Sequence, residues 1–298
     1  MKNLTNQSTN KINLTGKLMD AVFGEGNLSD GRHYERATVT VRVNQSYGGK
    51  EEISDVSFGM FATEYTTTGK PNPAWKSLMD LKKLNTAQNR GLDQADHIRV
   101  TGATLQENNF VSRNGQLING WQIRGSFVNP AALSDVASFS VDIFIMDMHD
   151  EIDREGDTTG RLIIKGGIVQ YGGKLDVVEF VVEAPDTVEY IQRNWNINDT
   201  VNVRGRIRVM SQEEAVPNSG WGEDVPDTTT RFVRELVITT GSDEPMEEDF
   251  AYDPVEIKKA FAERKAMIEQ MQINARKVAP KQGAGSANAT SSNKYDWE

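Results

Sequence analysis

The chain has 298 residues, 37 % of them hydrophobic and 26 % charged, which is length enough for two ordinary domains and a tail. It has no cysteine, so a disulfide framework, a thiolate zinc site and a thiol nucleophile are all excluded, as fits a reducing compartment. The net charge of −10 is unevenly placed. Residues 1–141 carry 15 Lys+Arg against 13 Asp+Glu, 142–160 carry 1 against 7, 161–240 carry 9 against 12 and 241–298 carry 8 against 11. A body so close to neutral leaves room for a basic groove.

The first ten residues lack the apolar core of a signal peptide, and no run approaches the roughly 18 apolar residues of a membrane span. The expectation is a soluble protein that stays inside the cell, with no membrane partner. Residues 12–20 (INLTGKLMD), 37–43 (ATVTVRV) and 53–62 (ISDVSFGMFA) alternate at period two with β-branched residues and read as strands. After a loop with Gly69, Pro71 and Pro73, the apolar residues of 75–84 (WKSLMDLKKL) recur at 75, 78, 81 and 84 and mark one helical face. Two further strands, 97–106 and 121–128, are joined by a polar hairpin through Phe110 and Asn114-Gly115. Three strands, a helix and two strands is the element order of an OB-fold, a small five-stranded Greek-key barrel.

The order then recurs. Residues 139–148, 161–171 and 175–183 read as strands, Pro185 opens a helix over 187–195, and 201–210 and 232–239 complete a second set of five. Asp96–Gly102 and Asp199–Gly205 share the pattern D-x-(I/V)-x-V-x-G at an offset of 103 residues, and Gly120-Trp121 matches Gly220-Trp221 at an offset of 100. A glycine on the fourth strand permits the bulge or close approach that coils a small barrel. The acidic 150–157 reads as a solvated turn between domains. Asp253-Pro254-Val255-Glu256 starts a helix with Ile257, Phe261, Ile268, Met271, Ala275 and Val278 near one face, docked on the second barrel, and Pro280 stops it. The fold class expected is mainly β: two tandem OB-like barrels over 1–133 and 134–241, a connector and helix over 242–279, and a flexible linker with an acidic tip over 280–298.

Catalytic patterns are absent. His33, His97 and His149 have no metal-ligand spacing, and HExxH and GxSxG do not occur. Neither metal nor cofactor is expected, nor an enzyme. Basic and aromatic residues interleaved on strands remain. Tyr34, Arg36, Arg42, Phe61, Arg99, Trp121 and Arg124 are candidates in the first barrel, and Lys165, Tyr171, Arg204, Arg206, Arg208 and Trp221 in the second, with Arg231 and Arg234 as further cations. In 201–210, Val201, Val203, Ile207 and Val209 point inward, which sets Arg204, Arg206 and Arg208 together on the outer face. Two roles are open to those arginines: a phosphate contact, or a solvated face neutralised by nearby glutamates. The two tryptophans have two roles as well, stacking bases or plugging barrel ends. Such a surface suits single strands, because stacking tolerates any sequence while phosphates supply a salt-dependent pull.

Barrel, polar linker and acidic aromatic terminus together resemble the bacterial and bacteriophage single-stranded DNA-binding proteins. The family's tip commonly carries consecutive Asp before a hydrophobic pair, and Tyr295-Asp296-Trp297-Glu298 departs from that. The resemblance implies coating of exposed DNA in replication, recombination or repair, in the cytoplasm of a bacterium or a phage-infected host. It also implies recruitment of replication or recombination proteins through Tyr295, Asp296, Trp297 and Glu298. RNA in place of DNA, self-association, and a virion structural role remain alternatives on sequence.

Overall fold

Eleven strands form one continuous sheet that closes on itself twice, in a computed structural model that describes residues 1–278 except 113–114, 154 and 217–226, with side chains outside 212–231 and 276–278. The first closure uses β1 (Asn10–Asn27), β2 (His33–Tyr47), β3 (Lys50–Thr63), β4 (His97–Glu107) and β7 (Trp121–Arg124). Between β3 and β4 lie α1 (Pro73–Leu81) and α2 (Ala87–Arg90), and a separate hairpin, β5 (Phe110–Val111) with β6 (Leu117–Ile118), leads into β7. The meander β1–β2–β3 is antiparallel, β3 pairs β7 in parallel, β7 pairs β4, and β4 returns to β1. The short β8 (Phe127–Pro130) pairs with β4.

The second closure repeats the pattern with β9 (Val136–Ile152), β10 (Thr158–Val169), β11 (Leu175–Val182), β12 (Thr200–Val216) and β13 (Asp227–Gly241). β9–β10–β11 is the meander, β11 pairs β13 in parallel, β13 pairs β12, and β12 returns to β9. Two OB-like barrels therefore follow one another, as the recurring element order implies. They share hydrogen bonds directly: β1 pairs β9 antiparallel from Asn10↔Val141 to Thr15↔Val136. One apolar cluster accordingly runs through both barrels, from Ile12, Val39 and Phe58 to Ile143, Phe180 and Leu236.

Local chemistry explains the connections. Asn72 accepts the Ala74 N–H ahead of α1, with Pro73 in the first turn, and Leu78 and Leu81 enter the core. The equivalent helix α3 (Pro185–Asn194) buries Ile191. The paired glycines serve different ends. Gly102 has φ +63°, a backbone that side chains disfavour, whereas a Cβ on Gly205 would lie 1.9 Å from the Val237 carbonyl oxygen, at a β-bulge.

Three expectations are corrected. The segment 121–128 is broken into β7 and β8, because a Cβ on Gly125 would meet Val100 at 2.8 Å and Phe58 at 2.9 Å, and the chain turns there from one partner to the next. The acidic 150–157 is the β9–β10 hairpin turn within the second barrel, with Asp153 accepting the Glu155 and Asp157 N–H groups at 2.9 Å. The barrels are joined instead through 131–135. The last helix, α4 (Pro254–Val278), is capped by Asp253 and docks on the second barrel, with Ile257 and Ala260 packed among Phe144, Val169, Leu175 and Tyr252. Phe261 and Met271, expected on that docked face, are exposed. Among the described residues no helix is long and apolar enough to cross a membrane.

Candidate nucleic-acid interface

Strand alternation turns Val39, Val56, Phe58 and Met60 into the first barrel and leaves the opposite set outside. Cross-strand register lines those outward residues into rows. Arg36 sits between Gly24 of β1 and Phe61 of β3, and Thr38 is followed by Gly59 and then Arg124 of β7. The glycines matter here, because large side chains lie flat across them. A Cβ on Gly24 would come within 3.0 Å of the Arg36 guanidinium, on Gly26 within 2.7 Å of the Tyr34 hydroxyl, and on Gly59 within 3.1 Å of Arg124. Tyr34 and Phe61 rings pack with centroids 5.1 Å apart, and Phe61 remains 49 % exposed.

The result is a groove of about 540 Å³ over β1, β2, β3 and β7, lined by Arg36, Arg124 and Arg234 together with Asn108, Gln122 and Ser57. No carboxylate lines it, and among the described residues none pairs with any of the three arginines. Three guanidiniums in a groove that no carboxylate lines, beside an exposed ring, attract anions and leave a flat face for stacking. Arg234 comes from β13 of the second barrel and lies 3.9 Å over the Trp121 ring. Partial desolvation there pulls its pKa below the ordinary arginine value, which still leaves it charged at neutral pH.

The other candidates are placed differently. Trp121 is 7 % exposed, buried as a wall of the first barrel and covered by Arg234, so of the two roles open to it the structural one fits its position. Arg42 is held by Asp55 through two bonds of 2.8 and 2.7 Å, which raises its pKa. Lys165 lies between Asp147 at 3.7 Å and Glu179 at 3.6 Å. Arg99 is exposed on β4 and Arg204 is exposed and bonded to Asn202, both away from the groove. Tyr171 stands on the turn between β10 and β11, 91 % exposed. Trp221 and the tip Tyr295–Glu298 lie outside the described residues.

Arg206 and Arg208 do not stand free on an outer face. The β2–β3 hairpin of the first barrel leans onto β12 and brings Glu52 to them, and Glu183 and Glu235 complete the cluster. Arg206 pairs with Glu183 at 2.8 Å and Glu52 at 3.6 Å, and its guanidinium lies 4.3 Å over Tyr47. Arg208 pairs with Glu52 at 3.2 Å, Glu235 at 2.9 Å and Glu183, and Arg161 reaches Glu235 at 2.6 Å. These arginines tie the barrels together, and the glutamates that neutralise them come from β3, from β13 and from the residue just after β11, none of which the pattern of 201–210 reports. Burial by itself raises the Glu183 pKa, but Arg208, Arg206 and Arg161 outweigh it and hold the carboxyl below its usual value. A depressed carboxylate pKa stabilises the fold above the unfolded value of about 4.3 and loses that contribution as pH falls through the folded value. Melting temperature should therefore drop as pH falls below about 4, and a Glu183→Gln variant should show a shallower drop; parallel profiles would remove Glu183 as a cause.

Sequence reading did not select Arg234 for the groove, nor the glycines that form its floor. Arg234 was visible only as a cation on the last strand, and the flat floor arises from register between strands, which period-two alternation does not report.

Several comparisons bear on this arrangement. A protein-family model described as YorF matches residues 8–274. No curated protein matches the chain. Among solved structures, the wild-type single-stranded DNA binding protein from Thermus aquaticus is similar at a TM-score of 0.50 and 12 % identity, covering 81 % of this chain and 95 % of that one. A deletion variant of the same Thermus aquaticus protein is similar at a TM-score of 0.50 and 14 % identity, covering 81 % and 97 %. At such identities the likeness is one of fold.

Proposed function

The chain belongs to the YorF family, and from the groove on its first barrel we propose that it binds single-stranded nucleic acid, DNA in the first place, without reading sequence. The observation that carries this reading is the set of three arginines, without carboxylate partners among the described residues, around a glycine floor beside the exposed Phe61 ring. Phosphates would meet the guanidiniums, and unpaired bases would stack on Phe61 and Tyr34. The fold likeness to the Thermus aquaticus single-stranded DNA binding proteins supports the same reading. The second barrel serves chiefly as a brace, since Lys165, Arg161, Arg206 and Arg208 are all spent on carboxylates. The role that follows is coating of exposed strands in replication, recombination or repair. Recruitment of partners through Tyr295–Glu298 rests on the sequence alone.

Fluorescence anisotropy with labelled single-stranded DNA, single-stranded RNA and duplex DNA at two salt concentrations tests the proposal. Single-stranded DNA should bind most tightly, with affinity falling by about 0.7 log units per log unit of salt for each phosphate neutralised. Preference for RNA would redirect the substrate, and no binding to any of the three at low salt would overturn the reading.

A further inference from the structure

The end of β13 and the helix α3 enclose a cavity of about 260 Å³ on the second barrel. Tyr190, Ile191 and Trp195 wall it on one side, and Ile238 to Gly241 of β13 on the other. A water takes roughly 30 Å³ of liquid volume, so there is room here for part of a larger ligand. Gly241 lies seven residues along β13 from Arg234, about 23 Å of strand, which sets the cavity apart from the groove.

The strand edge at this cavity is open. β11 pairs β13 only at Val237 and Ile238 and then leaves it to enter α3. The Ser242 N–H donates to the Asn202 carbonyl at 2.9 Å, across to β12, so alternation turns the backbone groups of Gly241 to the edge that β11 has left. Among the described residues no strand pairs with that edge beyond Ile238. Beside it, Trp195 is 2 % exposed, and its indole N–H has no acceptor among the described residues. A buried donor left without an acceptor is destabilising, and a ligand that supplies one removes the defect. The indole closes directly against the strand, since a Cβ on Gly241 would lie 2.9 Å from its ring. The rim is acidic. Asp186 and Asp243 line the cavity, both exposed, and neither pairs with a cation among the described residues. The Tyr190 hydroxyl donates to the Asp243 carbonyl oxygen and fixes that residue at the mouth.

An open strand edge takes an extended backbone, the indole N–H takes a carbonyl oxygen, and a carboxylate rim selects basic side chains. We propose that this cavity docks an extended, basic segment of another protein, which adds as a short strand to the Gly241 edge of β13. One carbonyl of the segment accepts from Trp195, and its Lys or Arg side chains meet Asp186 and Asp243. Docking here leaves the groove of the first barrel uncovered and does not require the single-strand reading.

The test uses full-length protein and two fluorescein-labelled pentapeptides, Val-Arg-Val-Arg-Val and Val-Glu-Val-Glu-Val. The arginine peptide should bind by anisotropy and the glutamate peptide should not. Asp186→Asn with Asp243→Asn should weaken the arginine peptide about 10-fold, and the fold should persist because both carboxylates are exposed. A copy N-methylated at two successive residues keeps its charge but loses one N–H facing the strand, and should also bind about 10-fold more weakly. With isotope-labelled tryptophan, one of the five indole N–H signals, assigned by its loss in Trp195→Phe, should move downfield as peptide is added. Equal affinity for the two peptides, or affinity within twofold in the double Asn variant, overturns the docking site, as does no binding at millimolar arginine peptide. Equal affinity of the N-methylated copy, or an unmoved Trp195 signal at saturation, overturns strand addition beside Trp195. None of these outcomes touches the groove, whose own titration is separate.

Discussion

Replacing Arg36 and Arg124 together with Ala should weaken single-strand binding about 100-fold and leave the fold intact. Each guanidinium lines the groove without a carboxylate partner among the described residues, which leaves it available to a phosphate. A hydrogen bond to a charged group contributes about 1.5–3 kcal/mol, and 1.4 kcal/mol is a factor of ten, which sets the size of the loss for the pair. The slope of log affinity against log salt should fall by about 1.4, at 0.7 per phosphate contact on a single strand. Both side chains are exposed and lie over glycines, so truncation opens no cavity. Affinity within threefold of the unaltered protein, with an unchanged salt slope, would remove this face from the site. Arg42→Ala is the matched control: it removes a cation of the same barrel already neutralised by Asp55, and its effect on binding should be small.

The second large effect is on stability. Arg208 faces Glu52, Glu183 and Glu235, with side-chain exposures of 14 % for the arginine and 13, 28 and 19 % for the glutamates. Burial by itself would lower the Arg208 pKa, and the three carboxylates together raise it instead. Arg208→Met leaves those charges without their shared partner in a partly desolvated seam, where removing one member of a buried ion pair costs about 3–5 kcal/mol. For a body of this size that lowers the melting temperature on the order of 10 °C. Adding Glu183→Leu to Arg208→Met should recover much of the loss, because the most directly uncompensated charge is then gone. A loss under about 1 kcal/mol for Arg208→Met would mean that water screens the cluster and that the β1–β9 pairing alone holds the barrels.

How far each conclusion was legible follows from the range of the interactions behind it. Period-two alternation in 37–43 and 53–62, the helical spacing in 75–84 and the twice-repeated order are local properties of the chain. They determined the two barrels, the helix between third and fourth strands in each, and the docking of α4 through Ile257. The pattern at Asp96–Gly102 and Asp199–Gly205 likewise marked the fourth strand of both barrels, since a coiled strand needs a residue without a side chain at its tightest point. The candidate site was only half legible. Tyr34, Arg36, Phe61 and Arg124 share the outward face through short-range alternation and were within reach of the sequence. Alternation also made Arg206 and Arg208 look alike to Arg36, because an outward position says nothing of what lies opposite. Only the tertiary structure sets Glu52, 154 residues before Arg206, against them, and only it lays Arg234 of the second barrel over Trp121 of the first. Whether a cation is free or spent depends on its neighbours in space. Register between strands and the junction of two barrels decide those neighbours, and neither is written in any single stretch of the chain.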